Sequence, residues 1–208
     1  MTEIFGKRMR KYLDFAGKPI VPLGTPIPLH GVNPRSMLDP VNWDKIRKDT
    51  YKKYNYKCAV CNETGLEQGF NHPVEAHEIW DYDFDTYTQY FEGMVALCPI
   101  CHKIIHWDQN RMAYQNGNLS YEEYQRQERL KEEKLEELHG REILYGPIQK
   151  KSHMWHEAEW VSDFSKLKEL YPEFYLKSYF DTKYNGYFKR ETNSYIYKKT
   201  DNINDVLF

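Results

Sequence analysis

The chain has 208 residues, 40% of them hydrophobic and 29% charged, enough for one medium-sized domain with a real core. Its formal net charge of -2 excludes a protein that is basic overall, and no stretch approaches the roughly 20 apolar residues a membrane span needs. The opening MTEIFGKRMRKYLDF has no apolar run after its charges, which predicts no signal peptide, and the 18 tyrosines read as packing residues.

Residues 1–38 hold five of the ten prolines and predict an extended N-terminal arm of segments and turns. Asp39 then opens a helix with Pro40 in its first turn. Along it Trp43, Ile46, Thr50, Tyr51 and Tyr54 recur at helical spacing. Between them stand Lys45, Arg47, Lys48, Lys52 and Lys53, a local basic face on a nearly neutral chain. Lys45, Lys48, Lys52 and Lys53 are the candidate phosphate contacts, although such a face is more often merely solvated.

That helix delivers the chain to Cys58-Ala-Val-Cys61, and 36 residues later comes Cys98-Pro-Ile-Cys101. The short spacing lets each pair sit on a knuckle with both thiolates facing one ion. Two knuckles then close a tetrahedral zinc (Zn) shell of the structural kind. Between the pairs, the β-prone run Pro73–Trp80 supplies His77 and Glu78, and Met94–Leu97 is short enough to be the returning strand. Directly after Cys101 comes His102-Lys-Ile-Ile-His106. A helix starting near Pro99 would place these two histidines at i and i+4 on one face, beside His77. This ββα arrangement predicts a second, open metal site that could stabilise charge on a phosphodiester while a nearby base activates water.

Farther on, Ser120 with Glu123 predicts a capping box and a helix to about His139, with Gly140 as its stop and a charged, solvated or interacting surface. Tyr184-Asn185-Gly186-Tyr187 predicts a hairpin turn near the C-terminus. The organisation expected is a Pro-rich arm over 1–38, a zinc-binding core over 39–110, and a helical and hairpin region over 111–208. The fold class expected is α+β.

The segments VPLGTPIPLHGVNPRSML, WDKIRKDTYKKYNYKCAVC, HPVEAHEIWDYD and MVALCPICHKIIH, with a weaker echo in HEAEW from His156, resemble the zinc-ribbon HNH (ββα-metal) endonucleases. They are closer still to a bacterial and phage branch of HNH-like proteins. The likeness covers about residues 18–106. It implies an HNH core in which His77, His102 and His106 hold a divalent ion (Mg, Mn, Ni or Zn). The family's general-base position falls on Glu78, where the family has His, and its base-orienting Asn position falls on Gly93. Either Glu78 is the base, or His77 is the base and Glu78, Asp81 or Asp83 joins the metal. The resemblance implies a metal-dependent endonuclease acting on DNA in the cytoplasm of a bacterial or phage-infected cell. The two departures equally admit a degenerate zinc module that binds nucleic acid or a protein partner, such as a phage protein modulating a host system. A purely structural zinc protein is the plainest alternative.

Overall fold

A computed structural model describes residues 29, 32–83, 85–106, 109–139, 160–174, 186–189 and 194–197. The expected stop at Gly140, the echo over residues 156–159, the turn residues Tyr184 and Asn185, and most of the proline-rich arm lie outside the described residues. The short helix α1 (Pro34–Met37) carries a reciprocal cap between Asn33 and Ser36. Helix α2 (Pro40–Lys53) starts as expected: Asp39 Oδ1 accepts from the amides of Val41 at 2.9 Å and Asn42 at 3.0 Å, satisfying two of the donors that a helix start leaves free. Ile46 and Thr50 form its buried stripe, and it ends where Asn55 and Tyr56 adopt positive φ.

The fold is mixed α+β. Its sheet has five strands in the order β1-β2-β3-β5-β4. Strands β1 (Glu75–Asp83) and β2 (Thr88–Leu97) form an antiparallel hairpin, closed by Asp83 Oδ1, which accepts from the amides of Asp85 and Thr86. Strand β3 (Val161–Asp163) lies parallel to β2, fastened by a buried bond of 2.6 Å from Gln89 Nε2 to Ser162 Oγ. Strands β4 (Gly186–Lys189) and β5 (Ser194–Tyr197) complete the sheet antiparallel.

Strands β4 and β5 form a C-terminal hairpin joined through residues 190–193, with Gly186 opposite Tyr197, and the turn expected at Asn185-Gly186 involves residues outside those described. Strand β5 bonds on both edges, to β3 and to β4.

Helix α3 (Pro99–Ile105) packs on one face of the β1–β2 hairpin and α6 (Ser165–Leu170) on the other, each filling its own core. Phe91 and Met94 face the first core, with Ile46, Trp160, Phe164, Leu167 and Phe174. Val95 and Leu97 face the second, with the cysteines, Ile100, Ile104, Ile105 and Leu135. Strand β2 thus reads as a nearly continuous apolar run at its end because both of its faces are covered.

Helices α4 (Gln109–Gln115) and α5 (Tyr121–His139) follow. Ser120 Oγ caps α5 by accepting from the Glu123 amide at 3.2 Å, but the Glu123 carboxylate does not complete the box. Arg126 grips it with two bonds of 2.6 and 2.7 Å, a stronger charge-assisted use of the same group. The helix is not simply solvated either: Gln127, Lys131, Lys134 and Leu135 are buried, and α5 closes the second core over α3. Lysine stems cover apolar surface while their heads pair, Lys131 with Glu128 at 2.8 Å and Lys134 with Glu63 at 2.6 Å.

The β1–β2 register slips by one residue between Ile79 and Trp80: Ile79 faces Gly93 and Trp80 faces Phe91, leaving Glu92 as the extra residue of a bulge. Gly93 sits there at φ +144°, a conformation that side chains other than glycine's rarely adopt, although space beside it is open. Gly93→Asn should cost about 1–3 kcal/mol, because a side chain is strained at this φ. The loss would be read as a lower midpoint in chemical denaturation; an unchanged midpoint would argue against the bulge.

Candidate metal centres

The two knuckles meet because the first is stitched to the strand that feeds the second. Ala59 N–H donates to Ala96 O at 2.9 Å, while Cys58 N–H donates to Glu63 O at 2.9 Å. Asn62, at φ +63°, turns the first knuckle. Gly65 brings the following loop against α3: a Cβ there would stand 2.3 Å from His72 O and 2.7 Å from Pro99 Cδ, so no larger residue fits. On the second knuckle, Cys98 is the N-cap of α3 and its sulfur accepts from the Cys101 amide at 3.4 Å.

All four cysteines are free, and their sulfurs cluster: Cys61 Sγ lies 3.7 Å from Cys98 Sγ and 3.8 Å from Cys101 Sγ. These separations are far too long for a disulfide, whose sulfurs lie about 2.05 Å apart. They fit a tetrahedron of thiolates about 2.3 Å from a central ion, whose edges are about 3.8 Å. The four cysteines, Cys58, Cys61, Cys98 and Cys101, are therefore placed to hold a metal ion. Bonds from Cys101, Cys61 and Cys98 hold Cys58 well below the usual thiol range, as a thiolate ligand requires. Gln68 Nε2 donates to Cys98 Sγ at 3.1 Å, and the charge of Lys134 faces Cys61, so both offset the negative charge of such a thiolate shell.

His77, His102 and His106 form the second group, with ligand atoms all within 4.8 Å of one another. His77 is opposite Val95 and shares its face, toward α3, while His102 is on α3 and His106 is its C-cap. His102 Nε2 and His77 Nδ1 stand 3.1 Å apart, close to the ~3.3 Å between two nitrogens bound at about 2.0–2.1 Å on a tetrahedral ion. Burial pushes the His77 imidazole well down, and the charges of His102 and His106 push it the same way, so His77 is neutral and its lone pair is available. His77 is buried; the other two are half-buried, which leaves the group open on one side.

The remaining candidates fall out differently. Glu78 is opposite Met94, on the face away from His77, and is half-buried. Desolvation pushes its carboxyl up, against the charges of His102 and Arg35 that draw it down. Asp81 and Asp83 lie roughly 13 and 20 Å along β1 from His77, beyond reach of its ion, and Asp83 is occupied in capping the hairpin. On α2, Lys45 lies 4.8 Å from the centre of the Tyr171 ring and pairs with Asp49 at 3.3 Å, and Lys48 pairs with Asp44 at 2.5 Å. Lys52 is exposed, and Lys53 stands over the Tyr54 ring at 5.4 Å. Among the described residues no helix is long and apolar enough to cross a membrane.

Two residues that the sequence reading passed over stand behind the histidines. Glu75 pairs with His102 Nδ1 through one carboxylate oxygen and with His72 Nε2 at 2.8 Å through the other, and His72 Nδ1 lies 2.8 Å from Asn71 Oδ1. Burial pushes the Glu75 carboxyl up, but its bonds to both histidines outweigh this and hold it at about 2. The signal was present in the sequence: Glu75 and His77 are two apart on a strand and so share a face.

Removing metal with a strong chelator at neutral pH should abolish the near-ultraviolet circular dichroism of the second core, because metal binding in a thiolate cluster is folding free energy, on the order of 10 kcal/mol. Cys101→Ser should do the same without chelator. An unchanged spectrum in both would show that the cluster does not hold a structural ion.

No family model, no curated protein and no solved structure matches this chain.

Proposed function

We propose that the protein is an HNH-type, metal-dependent endonuclease that hydrolyses phosphodiester bonds in DNA. The observation that carries this reading is the convergence of His77, His102 and His106 into one open coordinating group. Structural zinc in the four-cysteine cluster would hold the ends of the ββα unit together. When bound at the histidines, a divalent ion supplies charge stabilisation for the phosphodiester and its departing oxygen. The ligand set is all imidazole, which suits a transition-metal ion better than Mg.

The chain's own groups would do the rest. Glu78, at the family's base position, lies on the other face of β1 from His77 but near enough to feel the charge of His102, and would take the proton of the attacking water. Arg35, exposed and near enough for its charge to act on Glu78, would meet a phosphate oxygen. Lys52 on α2 would add backbone contacts without reading sequence. The basic face of α2 is narrower than the composition implies, because Lys45 and Lys48 already have partners within the chain.

A second reading, a catalytically degenerate module that binds nucleic acid or a protein, is favoured by one observation. The position the family gives to an orienting Asn is a bulge that its backbone reserves for glycine.

Supercoiled plasmid incubated with the protein and Mg, Mn, Ni, Co or Zn separates the two. We expect nicking with at least one transition ion, lost in His77→Ala and His102→Ala, and reduced about 10²–10⁴-fold in Glu78→Gln. Absence of nicking with every ion, in protein that carries metal at the histidines, would replace the endonuclease with the binding module.

A further inference from the structure

We infer that Glu75 is a positioning residue: seated by His72, it holds His102 in the one tautomer and ring orientation that lets Nε2 join His77 and His106 around a single transition-metal ion. The inference deepens the metal-site reading above and rests on it.

A carboxylate has acceptors only, so the proton shared between Glu75 and His102 resides on Nδ1. That leaves the Nε2 lone pair free, and Nε2 is the atom that faces His77 Nδ1 at 3.1 Å. Because the two imidazole nitrogens point to opposite sides of the ring, Glu75 lies behind His102, away from the centre of the histidine group. It is therefore a support, not a fourth ligand. Its second oxygen is taken by His72 Nε2 at 2.8 Å, which fixes the carboxylate plane, and the loop carrying His72 is tied down by the 2.6 Å bond from Gly65 N–H to Pro73 O.

Two consequences follow for the ion. Imidazole ligands bring no charge of their own to an ion, so the Glu75 carboxylate bonded to His102 Nδ1 would strengthen Nε2 as a donor. The orientation is also prepared in advance: strand β1 delivers both the support and the first ligand, Glu75 and His77, from the same face.

The test is a cobalt(II) titration of the full chain, which gives a thiolate-to-cobalt charge-transfer band for the four-cysteine cluster and a ligand-field band for the histidine group. In the wild type two ions should bind. Glu75→Ala should weaken the histidine-group ion about 10–100-fold while leaving the thiolate band unchanged. Glu75→Gln, which can still accept from Nδ1–H but carries no charge, should fall between, and it serves if the alanine variant does not fold. Histidine-site affinity and ligand-field spectrum equal to wild type in both variants would overturn the role of Glu75 while leaving the metal site intact. A wild type that binds one cobalt, at the thiolates alone, would overturn the site and its support together.

Discussion

The structure depends on one closure: two cysteine knuckles, separated by 36 residues of chain, converge until their sulfurs stand 3.7–3.8 Å apart. Everything between Cys61 and Cys98, including the β1–β2 hairpin and the loop through Gly65, is held as a loop with pinned ends. Closing a loop of that length costs chain entropy that a few thiol contacts would not offset, whereas a shared ion would. The Ala59–Ala96 bond and the packing of Leu135 and Leu130 from α5 extend this closure into the second core.

The histidine group follows from the same closure. Helix α3 begins at Pro99 with Cys98 as its cap, so the direction in which His102 leaves the helix is set by where Cys98 is held. The β1–β2 register then decides which strand residue meets it: His77 opposite Val95 points toward α3, and a one-residue slip would have sent it into the aromatic core instead. The bulge at Glu92 and Gly93 lies beyond this pair, so it turns Phe91 onto the same face as Met94, into the first core, without disturbing His77.

Much of this was legible in the sequence where chemistry and spacing coincide. The paired cysteines, the i and i+4 histidines and the Asp39-Pro40 helix start are local patterns, and the described residues form the cluster, the histidine group and the cap accordingly. What escaped was non-local or disguised. Glu75 and His72 read as ordinary polar residues until α3 brings His102 against them. Helix α5 reads as a charged surface, because lysines conceal an apolar stripe that only the packing of Lys131 and Lys134 reveals. The parallel pairing of β2 with Val161–Asp163 has no local sequence sign at all, because the two strands are joined by more than sixty residues.

Cys101 and His102 are neighbours on a helix of seven residues, too short to persist by itself in water. The two centres are thus coupled through one short helix. An ion in the thiolate cluster would fix the start of α3 and so the place from which His102 and His106 are presented. A cell short of the first ion would hold a chain whose affinity for the second is weakened as well. Metal supply would then act on this protein as a gate in series, whatever chemistry the histidines perform.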